Sequence, residues 1–520
     1  MAVPDSSSGR SPGRRQPSPG SPAPRSAGPG RGELSPQQIR AAAVLLSQVS
    51  PAAGQLGDLF ARHGHELALV GGTVRDVLLG RPPGDVDLTT DAVPEQVLEI
   101  VRPWADDRWT IGIDFGTVGV RKGPEKLEIT TYRSERYAST SRKPEVRYGT
   151  SLTDDLSRRD FTVNAMAARL PGYELLDPFG GMRDLRDKVL RTPGRAEDSL
   201  SDDPLRTMRA ARFAAQLGFD VAPELRAAMT ELAPRLAIVS VERISAELSK
   251  LLLSPLPGGP RRGIELLVDT GVAGQVLPEI PRLRLERDEH FRHKDVYLHS
   301  LTVLDQAIAL EQRYDLRGDL RLRLAALLHD IGKPKTRASK PGGKVTFHHH
   351  EVKGAQLARA RLTALRFPGD VVDDVSRLVE LHLRFHGYGS GEWTDSAVRR
   401  YVRDAGPLLS RLHALTRADC TTRNQAKAQR LARAYDSLEQ RIAELAAQEE
   451  LDSIRPDLDG NAIMRILGIG PGPLVGDAIT HLLELRLEHG PLGEERATHE
   501  LLAWAADEGL GAPGSPRPER

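Results

Sequence analysis

The sequence predicts an α/β head followed by a long, all-α, multidomain body. Three observations carry this. The strand-like segments "HELALVGG" and "KLEITTYRSE" fall before about residue 190. From about 195 to 510 nearly every segment repeats its apolar residues with helical periodicity, between short loops. The length, 520 residues, is enough for several domains.

Taken in order, residues 1–33 ("MAVPDSSSGRSPGRRQPSPGSPAPRSAGPGRGE") are Pro, Gly, Ser and Arg with almost nothing to bury, which predicts a disordered tail. The tail lacks the apolar core of a signal peptide. Its arginines are either solvated or add non-specific attraction to RNA. Residues 34–190 form the head, and "SPQQIRAAAVLLSQVS" opens it as a helix with Ser35 at the N-cap. A helical neck is expected over 191–275, a helical body over 280–450, a helical tail over 451–510, and disorder over 511–520. The charges nearly balance, 72 Lys+Arg against 71 Asp+Glu, so a uniformly basic nucleic-acid coat is excluded but a local basic groove is not. The single Cys420 excludes an internal disulfide and suits a reducing cytoplasm. No apolar run approaches the roughly 20 residues of a membrane span, so no membrane partner is expected.

The chemistry starts at "LVGGTVRDVLLGRPPGDVDLTT", residues 69–90. In a strand, residues i and i+2 share a face, so Asp85 and Asp87 set two carboxylates side by side. Anions that close require a cation between them, and a shell completed by waters and phosphates suits Mg²⁺. Gly71 and Gly72 let the backbone approach a triphosphate, and Arg75 offers a forked donor for it. A third acid is expected on a neighbouring strand. Glu128 is the candidate, with Leu127 and Ile129 facing the core opposite to it. The set predicts phosphoryl transfer from a nucleoside triphosphate by two metal ions.

This stretch resembles the first motif of the class II CCA-adding tRNA nucleotidyltransferases and their bacterial poly(A) polymerase relatives, within the polymerase β-like nucleotidyltransferase superfamily. Four further stretches match that family in order: "LSRRDFTVNAMA", "LLDPFGGMRDLRDKVLRT" (175–192), "DDPLRTMRAARFAAQLGF" (202–219) and "VERISAELSKLL" (241–252). The resemblance implies a head with a mixed or antiparallel sheet. It also implies addition of C, C and A to the tRNA 3′ end from CTP and ATP, with release of pyrophosphate.

"DDPLRTMRAARF" matches the family's nucleotide-selecting helix, where Asp203, Arg206, Arg209 and Arg212 recur every three residues and so form one row. Cytosine and adenine both show an exocyclic amine donor beside a ring-nitrogen acceptor. Asp203 accepts from such an amine and Arg206 donates to such a nitrogen, whereas uracil and guanine show the reverse pattern. Arg209 and Arg212 either hold phosphates or pack the helix. Asp202 stands where the family usually has Glu. In "RRDFTVNA", Arg158 and Arg159 suit the triphosphate, and spacing does not say which of them reaches it. Asp160 and Asn164, one turn apart, suit the ribose hydroxyls, with a helix-capping role for Asp160 equally open.

In the body, His299, His329, Asp330, His350, His382 and Asp419 give the series H…HD…H…H…D, whose donors can ligate one or two divalent transition metals. It resembles the HD phosphohydrolase superfamily, which implies hydrolysis of phosphomonoesters or 2′,3′-cyclic phosphates. The alternative is a retained scaffold that binds tRNA. His348 and His349 are weaker candidates. Arg465 and Arg486 in the tail either meet tRNA phosphates or are solvated. The competing readings are a poly(A) polymerase, an enzyme adding only A or only CC, or mainly an HD phosphohydrolase. By resemblance, "FGTV" in residues 108–135 and the long polar loop 136–160 favour full CCA addition. The oligomeric state has no sequence signature here.

Overall fold

The computed structural model describes residues 36–82, 84–133, 148–285, 295–339, 345–387, 393–421, 424–449 and 455–510. The tails 1–33 and 511–520, the cap Ser35 and residues 136–147 of the polar loop lie outside them.

The head is a seven-stranded sheet: β1 (Leu67–Val70), β2 (Val86–Thr90), β3 (Asp107–Trp109), β4 (Thr117–Lys122), β5 (Glu125–Thr131), β6 (Ala167–Leu170) and β7 (Glu174–Leu176). The order is β3-β4-β5-β2-β1-β6-β7. Only β2 and β5 run parallel; the other pairs are antiparallel. The mixed sheet expected of the head is therefore present.

Strand alternation gives the sheet two unlike faces. Leu127 and Ile129 of β5 and Leu67 and Leu69 of β1 point into the main core, where they meet Leu56 and Phe60 of helix Pro51–Arg62 and Val97 and Ile100 of helix Pro94–Val101. On the other face, Ala68 and Val70 pack with Tyr132, Leu152 and Leu156. The short helix Leu152–Ser157 thus covers the β1 side of that face, while Glu128 on β5 stays exposed. A half-covered sheet face is what makes room for a substrate.

The neck contains helices Ala196–Asp202, Arg206–Leu217 (the selecting helix), Pro223–Leu232, Val241–Leu252 (the bracing helix) and Gly259–Asp269. Strand Val189–Leu190 pairs with Asp220–Val221, so the end of the head at 190 is stitched to the neck. The body follows as helices from Val296–Leu310 to Gln425–Glu449, interrupted by a short antiparallel strand pair, Ala338–Ser339 with Val345–Thr346, where only helices were expected. Buried Arg323 locks body to neck: Nε and Nη2 donate to Glu311 at 2.6 and 2.8 Å, and Nη1 donates to the carbonyls of Leu252 (2.6 Å) and Ser254 (3.1 Å). Those carbonyls lie at the C-terminal end of the bracing helix, where backbone acceptors lack intrahelical donors. One continuous core runs through head, neck and body, from Leu46 to Leu445.

The tail has its own core, built from Leu458, Ile463, Val475, Leu482 and Leu501 of helices Gly460–Leu467, Pro473–His489 and Glu494–Asp507 and the turn before them. Arg486 fits neither expectation: its Nη1 donates to Asp457 at 2.8 Å in a mostly buried pair that ties the tail together. Arg465 is exposed, as a solvated residue should be. Among the described residues no helix is long and apolar enough to cross a membrane.

Candidate active sites

The first site lies on the half-covered face of the head. β2 starts at Val86, so Asp87 is on the strand and Asp85 sits in the bend before it, a small correction to the paired-strand expectation. Thr73 clamps this bend: its hydroxyl donates to the Asp85 carbonyl and accepts from the Asp87 amide, both at 3.0 Å. Glu128 is the direct β5 neighbour of Asp87 in the parallel register, as expected for the third acid. Burial is the largest influence on Asp87; Glu128 and Asp85 add to it, and Arg159 and Arg75 oppose it. The carboxyl is left at about 6. A carboxyl held up in this way beside two further acids is a donor set matched to a divalent cation.

Gly71 ends β1 with φ of 67° and starts helix Gly72–Leu78. A Cβ there would lie 2.9 Å from Arg159 Nη1 and 3.9 Å from Asp87 Oδ2, so the glycine is what lets Arg159 cross beside the acids. Asp87, Thr130, Arg133, Asp155, Arg158 and Arg159 line a cleft of about 250 Å³. Asp155 holds the arginine pair, at 3.7 Å from Arg158 and 3.3 Å from Arg159. Both arginines thus face the cleft, and Arg159 is the one beside Asp87.

Two sequence expectations are corrected here, the phosphate role of Arg75 and the ribose role of Asp160 and Asn164, while the local, structural alternative for Asp160 agrees with its bond to the Phe161 amide. Arg75 does not offer its fork to the cleft. Nε and Nη2 donate to Asp76, each at 2.8 Å, and Nη1 donates to Asn164 at 2.6 Å. Asp160 and Asn164 are buried and committed to the protein rather than open to a ribose. Asp160 Oδ1 accepts from Asn164 and from the Phe161 amide, each at 2.9 Å, and Oδ2 accepts twice from Arg209, at 2.8 and 2.6 Å. Arg209 and Arg212 pack the helix, as one of the two readings held. Arg212 Nε lies 2.7 Å from Glu247 Oε2 on the bracing helix, and the guanidiniums of Arg75, Arg209 and Arg212 surround the Phe213 ring at 5.1, 5.5 and 4.2 Å. A largely buried chain Asp76–Arg75–Asn164–Asp160–Arg209–Glu247–Arg212, partly exposed at Asp76 and Arg209, therefore fixes the head against the neck. Burial pushes the Asp160 carboxyl up, but the Arg209 charge and the donated hydrogen bonds outweigh it and bring it to about 2. Asp160→Ala is expected to destabilise the protein by about 3–5 kcal/mol, because it strands the Arg209 charge. Thermal or chemical denaturation measures this. Unchanged stability together with lost ribo-over-deoxy preference would restore the ribose reading.

Asp203 is not on the selecting helix. It sits in extended conformation between two helices, and the helix starts at Arg206, with Pro204 between them favouring the break. The four-residue row is thus only three arginines long. Asp203 Oδ1 accepts from the Leu205 amide at 3.2 Å, and Oδ2 accepts from Arg243 of the bracing helix at 3.1 Å. Arg206 donates to Ser199 Oγ at 2.6 Å and to the Arg158 carbonyl, which links the base-reading candidate to the arginine pair. Arg243 and Glu247 were missed from sequence. Their motif was recognised, but nothing in its spacing says what it touches.

The second site joins all six expected body residues. They form two groups of metal-capable donors, His299–His329–Asp419 and Asp330–His350–His382. Nδ1 of each histidine is engaged by a fixed partner: the carbonyls of Ala326, Phe347 and Val379 for His329, His350 and His382, and the Thr421 hydroxyl for His299, at 2.6 to 3.0 Å. This turns Nε2 inward, the arrangement of ligating histidines. Nε2 of His299 lies 2.9 Å from Asp419, that of His329 3.2 Å from Asp330 Oδ2, and that of His350 3.3 Å from Asp330 Oδ1. Burial lowers the His329 pKa, yet Asp330 and Asp419 outweigh it and raise it to about 10. Burial drives that of His382 down to about 3. Lys333, four residues after His329, adds a cation to the centre: its Nζ donates to Asp330 at 2.8 Å. His348 and His349 are exposed and stand apart.

Comparison with known proteins agrees with this geometry. Residues 67–191 match the "Poly A polymerase head domain", 218–283 the "Probable RNA and SrmB- binding site of polymerase A", and 296–424 the "HD domain". An A-adding tRNA nucleotidyltransferase of Deinococcus radiodurans is 38% identical over 373 residues, 70% of this chain and 81% of that protein. A CCA-adding enzyme of Geobacillus stearothermophilus is 44% identical over 214 residues, 41% of this chain; the match spans 50% of that enzyme. The Bacillus stearothermophilus CCA-adding enzyme in complex with CTP superposes with a TM-score of 0.59 at 26% identity, over 92% of this chain and 99% of that one. A Thermotoga maritima CCA-adding enzyme complexed with tRNA superposes at 0.57 and 17% identity over 89% and 98%, which shows the shared fold.

Proposed function

This chain belongs to the tRNA nucleotidyltransferase family, and on that premise we propose that it adds C, C and A, without a nucleic-acid template, to the 3′ end of tRNA from CTP and ATP. The carrying observation is the row of acids, Asp85, Asp87 and Glu128, beside Arg159 across Gly71. The tRNA 3′ oxygen bonds to the α-phosphorus, the bond to pyrophosphate breaks, and the hydroxyl proton passes to solvent. Asp85 and Asp87 would hold a divalent cation, Mg²⁺ on this reading, which would supply activation of the hydroxyl and charge neutralisation at the pyrophosphate. Arg158 and Arg159 bind the triphosphate, and Asp155 orients them. Arg75, Asn164, Asp160 and Arg209 keep the head and the selecting helix in register. The compartment on this reading is the cytoplasm.

The experiment is incubation of the protein with tRNA lacking CCA, with CTP, ATP or both, followed by sequencing of the 3′ ends. CCA with both nucleotides supports the proposal. A single A on tRNA already ending in CC, and nothing from CTP, would make it an A-only enzyme like the Deinococcus relative. Long A tails would make it a poly(A) polymerase.

Asp203 and Arg206 are proposed as the base readers. Asp203→Ala then raises U misincorporation. It lowers kcat/KM for CTP and ATP by about 10- to 150-fold, the worth of one charge-assisted hydrogen bond. Equal losses for CTP, ATP and UTP would show that Asp203 only caps the selecting helix and pairs with Arg243. The six-residue body centre is proposed to hold divalent transition metal and to hydrolyse phosphate esters as a second activity.

A further inference from the structure

One aromatic residue lies in line with the acids and has no part in the site described above. The sheet register puts Trp109 of β3 opposite Gly119 of β4, Gly119 opposite Glu128 of β5, and Glu128 beside Asp87 of β2. Paired residues share a face, so these four form one row on the half-covered face. Gly119 sits inside a strand, where glycine weakens the ladder unless something else approaches the backbone closely. What approaches is the indole. A Cβ on Gly119 would fall 1.9 to 2.4 Å from Trp109 Cε2, Nε1 and Cζ2, so the ring lies against the bare backbone. Trp109 itself remains partly exposed. At the same end of the sheet, Phe115 and Tyr148 are 54% and 43% exposed, and the Tyr148 ring reaches within 3.0 Å of a Cβ position on Gly116.

The acids thus have unlike neighbours on their two sides. Toward β1 are Gly71 and Arg159, which suit a triphosphate. Toward β4 and β3 is a flat apolar ring two strands from Glu128, a distance of about 10 Å that the last one or two nucleotides of a strand can span. A transfer reaction needs its acceptor to reach the acids from the side the triphosphate leaves free. Unpaired nucleobases are held by stacking on aromatic faces, with little regard for base identity. An acceptor end that changes with every added nucleotide needs that tolerance.

We propose that Trp109, seated on Gly119, is the platform on which the unpaired 3′-terminal nucleotides of the RNA acceptor stack. This rests on the reading that the chain extends an RNA 3′ end.

The test uses the full chain and an RNA minihelix carrying 2-aminopurine at its 3′ terminus. The wild type quenches the fluorophore on binding, and Trp109→Leu does not. In steady-state assays Trp109→Leu raises KM for RNA by about 10- to 100-fold, the worth of one stacked base. It leaves KM for CTP within about twofold, and Trp109→Phe, which keeps a ring, retains most of the affinity. A lower Tm with unchanged RNA KM and unchanged quenching would mean that the indole only covers Gly119, and would overturn the proposal. So would a rise in the CTP KM alone, which would put the incoming nucleotide on the ring. Failure of the wild type to extend any RNA would instead sink the nucleotidyltransferase reading, and the quenching measurement still reads stacking without turnover.

Discussion

Asp87→Ala and Asp85→Ala are each expected to abolish nucleotide addition, with a loss of roughly 10³-fold or more, the scale of charge stabilisation that metal-held sites supply. The fold survives, because neither side chain belongs to the core and Thr73 still holds the bend through backbone groups. For Asp87 the two properties move in opposite directions. Its folded-state pKa stands at about 6, above the ordinary 3.8. Its contribution to stability is therefore fully present below pH 4 and lost as pH rises through 6. In protein stripped of divalent cations, Asp87→Asn is expected to match the wild type in Tm near pH 4 and exceed it at pH 8, while being inactive at both. Added Mg²⁺ narrows that gap by stabilising the wild type alone. Addition at near wild-type rate in either alanine variant would move the metal site elsewhere.

The second large effect is at the body centre. If the body centre hydrolyses phosphate esters as proposed, His329→Ala combined with Asp330→Ala is expected to remove that metal-dependent activity and to leave nucleotide addition within about twofold, as for independent sites. Both residues are fully buried beside other charged groups, so the double variant also loses thermal stability, and its assays are run well below its transition. Asp330→Asn keeps the shape and serves as the control. Metal content measured on the purified proteins gives a second readout. Retained hydrolysis would assign that activity to another site. Lost nucleotide addition would show that the centre acts on the head. The route for that exists: Arg323, six residues before His329, grips the end of the bracing helix that also holds Arg209, Arg212 and Asp203.

Asp87 and Glu128 were legible because short-range geometry specifies them. A two-residue period in "VDL" and "KLEIT" is enough to say which side chains leave the core, and the register then sets Glu128 beside Asp87, whereas the place of Asp85 in the bend before the strand was not legible. The body centre was legible in its membership for a different reason: imidazole and carboxylate are the residue types that such chemistry needs. Its arrangement was not, since the tying of each Nδ1 to a carbonyl or hydroxyl depends on where each helix ends.

The sequence by itself determined the division into a strand-bearing head and helical body, the pairing candidates Asp87 and Glu128, and the membership of the six-donor cluster in the body. Only the tertiary structure decided which polar groups face the cleft and which face one another. Arg75, Asp160, Asn164 and Arg209 look like substrate ligands in a linear reading, yet they spend their hydrogen bonds on each other across the head–neck junction. Asp203 and Arg206 are three apart in sequence, yet a proline and a helix start put them on different elements. The physical reason is that a buried charge must find its partner wherever the fold brings one, 49 residues away for Asp160 and Arg209. Sequence spacing says which residues share a face only while the chain stays in one regular element, and both of these residue sets cross the ends of such elements.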